Sequence, residues 1–326
     1  MWPRRRRPLV RWGERMEVII QSLRDGGGVR VLELVAVDGS PLPTYEAGAH
    51  VDVTLGTGLV RQYSLCCREP SRGYRLAVKR EPQSRGGSAW LHEVAAVGTR
   101  LTLGQPRNAF ALAPSAPYYL LFAGGIGITP ILSMAYALLR RGASFRLACY
   151  VRDAGSVAFA DELLDGPLAP HVDVHAGLSA ADVAASLASE IGAQPRGTQA
   201  YVCGPAPFMA AVAAAGEAHL GAGAVHQESF APATVEGAAA FTIKLARSQR
   251  ELPVPSDRSA LACLQEAGID IDCSCEVGVC GTCRTTVLDG VPDHQDSFLS
   301  PSEREANDCF MPCVSRARTA VLVLDL

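Results

Sequence analysis

The sequence has little net charge, no secretory signal pattern and no internal repeat. Its 30 Lys and Arg residues stand against 33 Asp and Glu, a net charge of −3. A main partner made of nucleic acid would require a basic face to neutralise phosphates, so this balance argues against one. The basic start, MWPRRRRPLVRWGERM, lacks the apolar segment that follows the charges in a secretory or twin-arginine signal. The seven histidines fit no catalytic pattern.

One stretch is long and uncharged enough to cross a bilayer, Tyr118 to Leu139, YYLLFAGGIGITPILSMAYALL. Its glycines and Pro130 lie in the middle, where they more naturally mark a buried strand, a tight turn and the start of a helix. We therefore expect no membrane association. The 11 cysteines, without a signal sequence, favour a reducing compartment and metal or catalytic use over disulfides, so we expect a cytoplasmic protein.

Hydrophobic patterning divides the sequence into regions. A chain of 326 residues, 48% hydrophobic and 19% charged, should contain two or three domains with real cores. Residues 16–113 consist of many short apolar runs separated by polar turns, which is typical of an antiparallel barrel. Residues 114–230 alternate apolar strands with helices, the pattern of a doubly wound parallel sheet.

The remaining segments flank or follow these two regions. We expect residues 1–15 to form a disordered basic arm, and residues 231–240, APATVEGAAA, a flexible linker. In residues 241–326 a hairpin and a helix precede a cysteine-rich segment. From Ala240 onward 8 Lys and Arg stand against 13 Asp and Glu. Such an acidic domain could dock on a basic partner surface, although acidic residues that serve solubility alone would give the same balance.

Four cysteines carry the most specific pattern in the sequence. Cys275, Cys280 and Cys283 form a C-x4-C-x2-C run, and Cys313 follows in FMPCVSRA. This spacing is the plant-type [2Fe–2S] arrangement, in which thiolates from one tight loop and one distant segment hold two irons.

Zinc and unliganded thiols are the alternatives at this loop. A zinc site more often shows two C-x2-C pairs or Cys and His pairs, whereas this segment has one C-x2-C pair and no nearby histidine. Gly278 and Gly281 favour a cluster, because a loop wrapped around inorganic sulfide needs its backbone N–H groups close to sulfur. Buried cysteines without a ligand are the remaining alternative.

A second candidate site begins in RQYSL, Arg61 to Leu65. A cation, an aromatic ring and a hydroxyl on one strand suit a flavin. Arg61 can pair with a phosphate, Tyr63 can pack on the ring system, and Ser64 can hydrogen-bond the reactive edge of the ring near N5. An ordinary strand with one surface arginine is an equally simple interpretation of this segment alone.

Two later segments support the same site. LAVKRE is followed by SRGGSAWLH, whose Gly86, Gly87 and Ser88 could open a helix onto a phosphate through free N–H groups. Taken separately, a glycine pair is usually just a turn. A flavin site is predicted because all three segments occur in one chain and in this order.

Glycines also mark a third candidate site. AGGIGITP, Ala123 to Pro130, lies between a strand pattern and a helix pattern. It is not the G-x-G-x-x-G fingerprint, but its glycines would let a ligand approach the backbone. YVCGP, Tyr201 to Pro205, ends a second strand and should lie near the first turn at the same sheet edge. Cys203 is either a redox or catalytic thiol or a small residue where a nicotinamide must fit.

Taken together, these segments resemble one family over nearly the whole chain from Met16 to Leu326. CSCEVGVCGTC with MPCVSRA resembles the C-terminal ferredoxin domain of the phthalate dioxygenase reductase and vanillate demethylase reductase family. The order R-x-Y-S, A-V-K and G-G-S resembles the flavin domain of the same family. The pair GGIGITP and CGP is characteristic of the wider ferredoxin reductase superfamily, in which both turns line the nicotinamide site.

The resemblance assigns residues to each cofactor. The cluster ligands would be Cys275, Cys280, Cys283 and Cys313, where Cys309 is the rival to Cys313 and the CVSRA context decides against it. FMN would lie against Arg61, Tyr63, Ser64, Leu65, Ala77, Val78, Lys79, Gly86, Gly87 and Ser88. The pyridine nucleotide would face Gly124, Gly125, Gly127, Thr129, Cys203, Gly204 and Pro205. Phe230 in HQESF matches the family's aromatic residue near the flavin, unless it merely covers a domain edge.

The resemblance also implies an architecture and an activity. The expected fold is an antiparallel flavin-binding β-barrel, a doubly wound α/β nucleotide-binding domain and a C-terminal β-grasp ferredoxin domain. The expected protein passes electrons from NADH through FMN and a [2Fe–2S] cluster to a Rieske-type terminal oxygenase acting on an aromatic or other small organic acid. The FMN assignment follows the resemblance, since more distant relatives use FAD on similar strands.

The identity of the coenzyme and that of the electron acceptor each leave an alternative open. Asp153 after CYVR would repel a 2′-phosphate, whereas Arg152 would attract one, which leans toward NADH over NADPH. The acceptor could instead be a cytochrome P450. A non-catalytic iron–sulfur carrier or redox sensor on the same fold is the alternative from another class, and the intact RQYSL and GGIGITP segments count against it. Hydride transfer requires no general acid or base, so no catalytic side chain is expected.

Overall fold

The chain folds, in sequence order, as an antiparallel β region, an α/β region and a C-terminal β-sheet region. The computed structural model describes residues 15–68, 73–84, 86–230, 239–273, 276, 278, 281–296 and 298–326. It divides into two compact units, Met1–Gln227 and Glu228–Leu326. Residues 1–14 of the expected arm, residues 231–238 of the expected linker, and the candidate ligands Cys275 and Cys280 lie outside the described residues. The domain boundaries therefore stay predictions.

Six antiparallel strands form the barrel of the first unit. They pair in the order β4-β3-β6-β1-β2-β5, and inward side chains from five of them share one core that includes Val18, Leu32 and Val51. The turn between β1 and β2 places Gly27 at φ 58° and Gly28 at φ 74°, which favours glycine at both positions of a tight hairpin. The elements are β1 (Met16–Gly26), β2 (Val29–Ala36), β3 (His50–Thr54), β4 (Val60–Ser64), β5 (Tyr74–Lys79), α1 (Gly87–Glu93) and β6 (Arg100–Leu103).

The α/β region follows within the same unit. Its sheet has the order β11-β10-β7-β8-β9, and the pairs β10/β7, β7/β8 and β8/β9 are parallel. The order reverses between β7 and β10, so the carboxyl ends of these two strands form the switch point where such sheets bind ligands. The elements are β7 (Tyr119–Gly124), α2 (Ile128–Arg141), β8 (Phe145–Val151), α3 (Ala160–Leu164), β9 (Val172–Ala176), α4 (Ala180–Gly192), β10 (Gln199–Cys203), α5 (Ala206–His219) and β11 (Val225–Glu228).

The uncharged stretch from Tyr118 to Leu139 is not one helix. It contains β7, a 3-10 turn at Gly125–Gly127 and most of α2, as the glycines and Pro130 predicted. Helix α2 has 14 residues and ends at Gly142, whose φ of 62° is the left-handed C-terminal cap conformation. In the part of the chain that the structure describes, every helix is too short or too polar to cross a membrane.

The second unit has the β-grasp arrangement. Its five strands pair in the order β13-β12-β18-β14-β16, with β12 and β18 parallel in the interior of the sheet. Helix α6 packs through Ala260 and Leu264 on a core that contains Phe241, Ile243 and Phe310. The elements are β12 (Phe241–Leu245), β13 (Glu251–Val254), α6 (Ala260–Glu266), β14 (Thr285–Asp289), β15 (Pro292–Asp293), α7 (Pro301–Ala306), β16 (Cys309–Phe310), β17 (Arg316–Ala317) and β18 (Val321–Leu324).

Candidate functional site

The two glycine turns of the α/β region touch through their backbones. Parallel pairing of β7 with β10 sets Ala123 opposite Cys203. A Cβ atom added at Gly127 would lie 2.1 Å from the carbonyl oxygen of Cys203, and one added at Gly204 would lie 2.9 Å from Cα of Gly124. Glycine is therefore required where the two turns pack against each other, and the turns lie side by side at the sheet edge, as the sequence predicted.

A small cleft opens beside the first turn. Gly125 has a φ of 55°, and no atom lies within 4 Å of where its Cβ would be. Thr129 is buried, and its hydroxyl donates to the carbonyl of Ile126 at 3.1 Å, so in this structure it closes the turn. The cleft is lined by Ala123, Gly125, Ile128, Cys149, Val151, Val157, Ala158 and Leu163.

The second turn contributes a buried cysteine and a proline. Cys203 is fully buried at the end of β10, which favours the small-residue interpretation over a reactive thiol, since reactive cysteines are partly exposed. Pro205 precedes α5, and its Cδ would lie 2.8 Å from a Cβ atom at Gly124. The three predicted residues Cys203, Gly204 and Pro205 therefore all belong to the wall facing the first turn.

Charged residues follow β8 directly. Arg152 and Asp153 come right after Val151, at the carboxyl end of the strand next to β7. This is the position from which an acidic residue contacts the adenosine ribose in doubly wound folds. The Asp153 side chain accepts a hydrogen bond from the hydroxyl of Ser156 at 2.9 Å and is exposed.

The flavin segments of the barrel also meet. A Cβ atom at Gly87 would lie 2.8 Å from Cγ of Arg61 on β4, and one at Gly86 would lie 2.9 Å from Leu59. Gly86 has a φ of 90°, a conformation that favours glycine. The hydroxyl of Ser88 bonds locally, accepting from the backbone N–H of Glu81 at 3.2 Å and donating to Ser84 at 3.0 Å. The cation and the glycine turn thus lie side by side, as a phosphate site requires.

The rest of RQYSL lines and enters the barrel. Tyr63 packs partly on the barrel core, and burial raises the pKa of its phenol to about 12, so the group stays protonated. Ser64 is buried at the end of β4. Leu65 lies fully inside the core, and its N–H donates to the carbonyl of Ala49 at 2.8 Å.

Strand β5 joins the flavin segments to the nucleotide turns. Ala77 belongs to the same core cluster as Ala123, Ile128 and Cys203. Val78 instead faces the barrel core, and its carbonyl lies 2.8 Å from Nε2 of His92. Lys79 is exposed, with Nζ 3.4 Å from the carboxylate of Glu81. One strand therefore connects the barrel core, with the candidate flavin segments, to the side chains around the switch point.

Sequence reasoning missed His50 beside the flavin strand. His50 on β3 is the register partner of Ser64 on β4, is buried, and has an Nε2 without a hydrogen-bond partner among the described residues. Burial and the Arg107 guanidinium lower the pKa of His50 to about 4, against the opposite effect of Asp52, so the ring is neutral at pH 7. Pairing HVDVTL with RQYSL as a hairpin would have found it.

Two of the four candidate cluster ligands are described, and they converge. Cys283 ends the cysteine loop and Cys313 follows β16; both are buried, and their Sγ atoms lie 3.3 Å apart. They share a core with Leu261, Leu299 and Met311. Two buried thiols brought together from distant segments fit the donor set of a plant-type cluster. Within the described ranges, which omit Cys275 and Cys280, no group of three His, Cys, Asp or Glu side chains surrounds a metal position.

Glycines shape the cysteine loop. Gly278 and Gly281 have φ of 76° and 72°. A Cβ atom at Gly278 would lie 2.6 Å from Val314, and one at Gly281 would lie 2.3 Å from the ring of Phe298. The loop is thus pressed against the segment that carries Cys313. The buried carboxylate of Asp296 accepts a hydrogen bond from the hydroxyl of Ser315 in that segment at 3.3 Å, and others from the N–H groups of Phe298 and Leu299 at 3.1 and 2.8 Å.

The extra cysteines have other environments. Gln265 donates to Sγ of Cys273 at 3.3 Å. Cys309 lies on β16, and burial raises the pKa of its thiol to about 11 despite the nearby Arg284. The short sulfur–sulfur distance involves Cys313, which favours it over Cys309 as the fourth ligand.

The end of β11 begins the second unit. Glu228 has a carboxyl group whose pKa burial raises to about 8. Phe230, two residues further on, is 47% exposed.

Known proteins match the chain along almost its whole length. Residues 243–318 match the family of 2Fe-2S iron-sulfur cluster binding domains. The vanillate O-demethylase oxidoreductase of Pseudomonas sp. (strain HR199 / DSM 7063) is 43% identical over 316 residues, 95% of this chain and 100% of the relative. The carnitine monooxygenase reductase subunit of Escherichia coli (strain K12) is 40% identical, covering 91% and 94%. The phthalate dioxygenase reductase structure matches with a TM-score of 0.71 and 36% identity over 96% and 98% of the two chains.

The chain belongs to the phthalate dioxygenase reductase and vanillate O-demethylase reductase family. As a member of this family it is an NAD(P)H-dependent flavin and iron–sulfur oxidoreductase. The three-part architecture expected from the sequence is confirmed by the sheet orders and by the phthalate dioxygenase reductase match.

The family's module also occurs inside larger proteins. An intact type IV self-sufficient cytochrome P450 monooxygenase matches 98% of this chain with a TM-score of 0.74 and 35% identity, and the match covers 43% of that longer chain. The family fold is therefore found both as a separate reductase and fused to a haem enzyme.

Proposed function

We propose that the protein transfers electrons from NADH through FMN and a [2Fe–2S] cluster to a Rieske-type terminal oxygenase, a demethylase or dioxygenase of an aromatic or other small organic acid. The observation that carries the proposal is the junction in the first unit, where Ala77 of the flavin strand shares a core with Ala123 and Cys203 of the nucleotide turns. A hydride donor and a flavin held at these segments would be neighbours. The buried thiol pair on the same chain fits a [2Fe–2S] cluster, which would supply a one-electron exit.

The chain's own residues bind and orient, and the cofactors supply the chemistry. When bound, the nicotinamide would supply a hydride, the flavin would convert two-electron into one-electron transfer, and the cluster would deliver single electrons. Arg61 and the Gly86–Gly87 turn would hold the flavin phosphate, and Tyr63 with Ser64 would orient the ring. Gly124, Gly125 and Gly127 with the Cys203–Pro205 turn would leave the backbone open to the nucleotide. Cys275, Cys280, Cys283 and Cys313 would bind the irons.

FMN is the flavin that the geometry supports. One cation and one glycine turn lie beside each other, which suffices for a single phosphate. The test is the absorption spectrum of the protein as isolated, followed by release of the flavin and chromatography. Flavin bands with iron–sulfide shoulders and released FMN are expected; released FAD would contradict the assignment.

NADH is the proposed donor because Asp153 follows β8 with an exposed carboxylate that would repel a 2′-phosphate. We expect a kcat/KM for NADH at least about tenfold above that for NADPH, and Asp153→Ala should narrow the ratio. Equal use of both coenzymes by the unchanged protein would overturn this part.

A Rieske-type oxygenase is the proposed acceptor because proteins similar to this chain are named for vanillate, phthalate and carnitine oxygenases. Turnover of NADH with cytochrome c as an artificial acceptor tests the reductase activity, and its absence in fully loaded protein would refute the proposal. Reconstitution with a purified Rieske oxygenase then tests the acceptor. A cytochrome P450 is the second candidate, because the self-sufficient P450 contains a matching module, and it forms the parallel arm of the assay.

The compartment follows from the same chemistry. The cysteine-rich composition and the iron–sulfur site suit a reducing environment, so we propose the cytoplasm.

A further inference from the structure

A buried arginine joins the barrel to the α/β region of the first unit. Arg75 on β5 is 7% exposed. Its Nη1 donates to Oε1 of Glu162 at 2.5 Å, and its Nη2 to Oε2 of the same carboxylate at 3.1 Å. Glu162 lies on α3, 87 residues further along the chain. This is a two-point, charge-assisted contact, which fixes direction as well as distance.

The same guanidinium reaches the flavin strand. Nε and Nη2 of Arg75 donate to the carbonyl of Cys66 at 3.0 and 2.6 Å. Cys66 is the residue immediately after Leu65 of RQYSL, and its side chain is fully buried. Arg75 therefore holds the end of one flavin segment while it belongs to the strand of another, two positions before Ala77.

Glu162 is in turn anchored to the nucleotide side. The hydroxyl of Tyr136 donates to Oε2 of Glu162, and burial together with this carboxylate raises the pKa of the phenol, which keeps it a donor. Tyr136 lies on α2, the helix that begins at GGIGITP. The ring of Phe159, just before α3, lies 4.9 Å from the Arg75 guanidinium carbon. Among the described residues, the Arg75 guanidinium thus contacts the Glu162 carboxylate, the Cys66 carbonyl and the Phe159 ring.

The surrounding contact between the two regions is mostly apolar. Val29, Val31, Cys66 and Ala77 of the barrel share a core with the side chains around β7 and α2. Apolar contact is non-directional, so it holds surfaces together without fixing their angle. The Arg75–Glu162 pair adds a directional contact to this core, as does the hydrogen bond from the N–H of Gly48 to the hydroxyl of Ser133 at 3.0 Å.

We infer that Arg75, anchored by Glu162, is a positioning residue that aligns the flavin segments with the nucleotide turns and thereby sets the rate of flavin reduction by NADH. This inference rests on the proposed function. Arg75 lies on β5, one of the strands that would hold the flavin, and its hydrogen bonds to the carbonyl of Cys66 reach the segment that follows β4. Misplacement of reacting groups by about 1 Å lowers rates by up to roughly 100-fold.

The test compares Arg75→Lys and Glu162→Gln with a matched pair elsewhere. Arg146 and Asp173 form a similar two-point pair near the amino-terminal ends of β8 and β9, whereas the glycine turns lie at the carboxyl ends of the neighbouring strands. Arg146→Lys and Asp173→Asn are therefore the controls. Anaerobic stopped-flow mixing gives the limiting rate of flavin reduction and the Kd for NADH. Long-wavelength absorbance of the nicotinamide–flavin complex reports alignment, and flavin content with thermal unfolding reports integrity.

We expect both Arg75→Lys and Glu162→Gln to lower the limiting rate by about tenfold or more, with a weakened long-wavelength band and little change in the Kd for NADH. The double variant should be no slower than the slower single one, because both remove the same contact. The control variants should reduce at the unchanged rate.

An unchanged limiting rate in folded, flavin-loaded variants would overturn the inference, as would a loss of rate that only follows loss of flavin. Should Arg75→Lys fail to fold, Tyr136→Phe, which removes one hydrogen bond, carries the test with a smaller expected decrease. Failure of the unchanged protein to reduce its flavin with NADH would instead refute the proposed function.

Discussion

The first unit and the second unit prepare for their cofactors in opposite ways. In the first, the candidate contacts are spread over three flavin segments and two glycine turns, and the tightest of them are backbone approaches such as Gly127 to Cys203. In the second, they are concentrated in four cysteines, two of which are described with Sγ atoms 3.3 Å apart. The difference teaches where each site is vulnerable. Single substitutions in the first unit should weaken flavin or nucleotide binding only in part, whereas removal of one cysteine sulfur in the second unit should abolish cluster binding.

Removal of one cluster thiol is the largest expected effect. Cys283→Ala should abolish the iron content and the iron–sulfide absorption, because a four-thiolate site has no spare ligand. Flavin reduction by NADH, which uses the first unit, should continue at the unchanged rate. Iron analysis and stopped-flow absorbance measure the two outcomes.

The matched control is Cys309→Ala, which removes a buried thiol on β16 and should keep the cluster. Simultaneous loss of cluster and flavin reduction in Cys283→Ala would break the contrast between the units, since it would mean that the cluster also holds the first unit together.

A methyl group between the glycine turns is the next largest change. Gly127→Ala would place Cβ 2.1 Å from a backbone oxygen, so the turns must separate, at a cost of about 1–3 kcal/mol. We expect a KM for NADH raised by roughly 10-fold to 100-fold with the FMN content retained. Steady-state kinetics with cytochrome c provide the measurement.

Gly26→Ala on β1 is the control, because nothing lies within 4 Å of its Cβ position and its φ is not positive. A KM in Gly127→Ala equal to that of Gly26→Ala would show that the close approach has no bearing on the nucleotide.

Loss of the Arg61 guanidinium, the cation proposed to bind the flavin phosphate, should have an intermediate effect on flavin affinity. Arg61→Ala would remove the proposed charge-assisted contact to the flavin phosphate, worth about 1.5–3 kcal/mol, so the Kd for FMN should rise by roughly 10-fold to 100-fold. Titration of flavin-free protein with FMN, followed by flavin fluorescence, measures it. Arg100→Ala, at an exposed position on β6, should leave the Kd unchanged. Complete loss of FMN binding in Arg61→Ala would show a site as concentrated as the cluster site.

The smallest effect concerns His50 and pH. Its pKa in the folded protein, about 4, lies below the 6.5 of a histidine exposed to water, so the unfolded chain binds more protons between these two pH values. Stability that is present above pH 6.5 is therefore lost as the pH falls toward 4. Between pH 7 and pH 5 this loss is about 1–2 kcal/mol.

His50→Gln should remove that part of the pH dependence, as measured by urea unfolding followed through flavin release at both pH values. His219→Gln, at an exposed position, should behave like the unchanged protein. Equal pH dependence in His50→Gln and the unchanged protein would mean that His50 is not buried as a neutral ring.

Local patterns predicted most of the fold and the segments of the candidate site. Short apolar runs separated by polar turns predicted the strands of the barrel, and the glycines with Pro130 divided one apolar stretch into β7 and α2. These features depend on neighbouring residues, so sequence reasoning reaches them. The Arg75–Glu162 pair and the register of His50 with Ser64 depend on contacts between distant segments. YRLAVK, which contains Arg75, and FADELL, which contains Glu162, have no local pattern that predicts their contact. The His50 register was likewise missed because it depends on how two separate strands pair.

The parallel pairing of β12 with β18 has a consequence for biosynthesis. Strand β18 lies in the interior of the β-grasp sheet, between β12 and β14, yet it follows all four cysteine positions in chain order. The ribosome therefore exposes every thiol of the cluster loop before it has made the strand that completes the sheet. During that interval β12 has no β18 to pair with, and such non-local pairing also forms slowly. Because Cys283 and Cys313 lie together in the folded domain, we expect iron and sulfide to bind after β18 has been made.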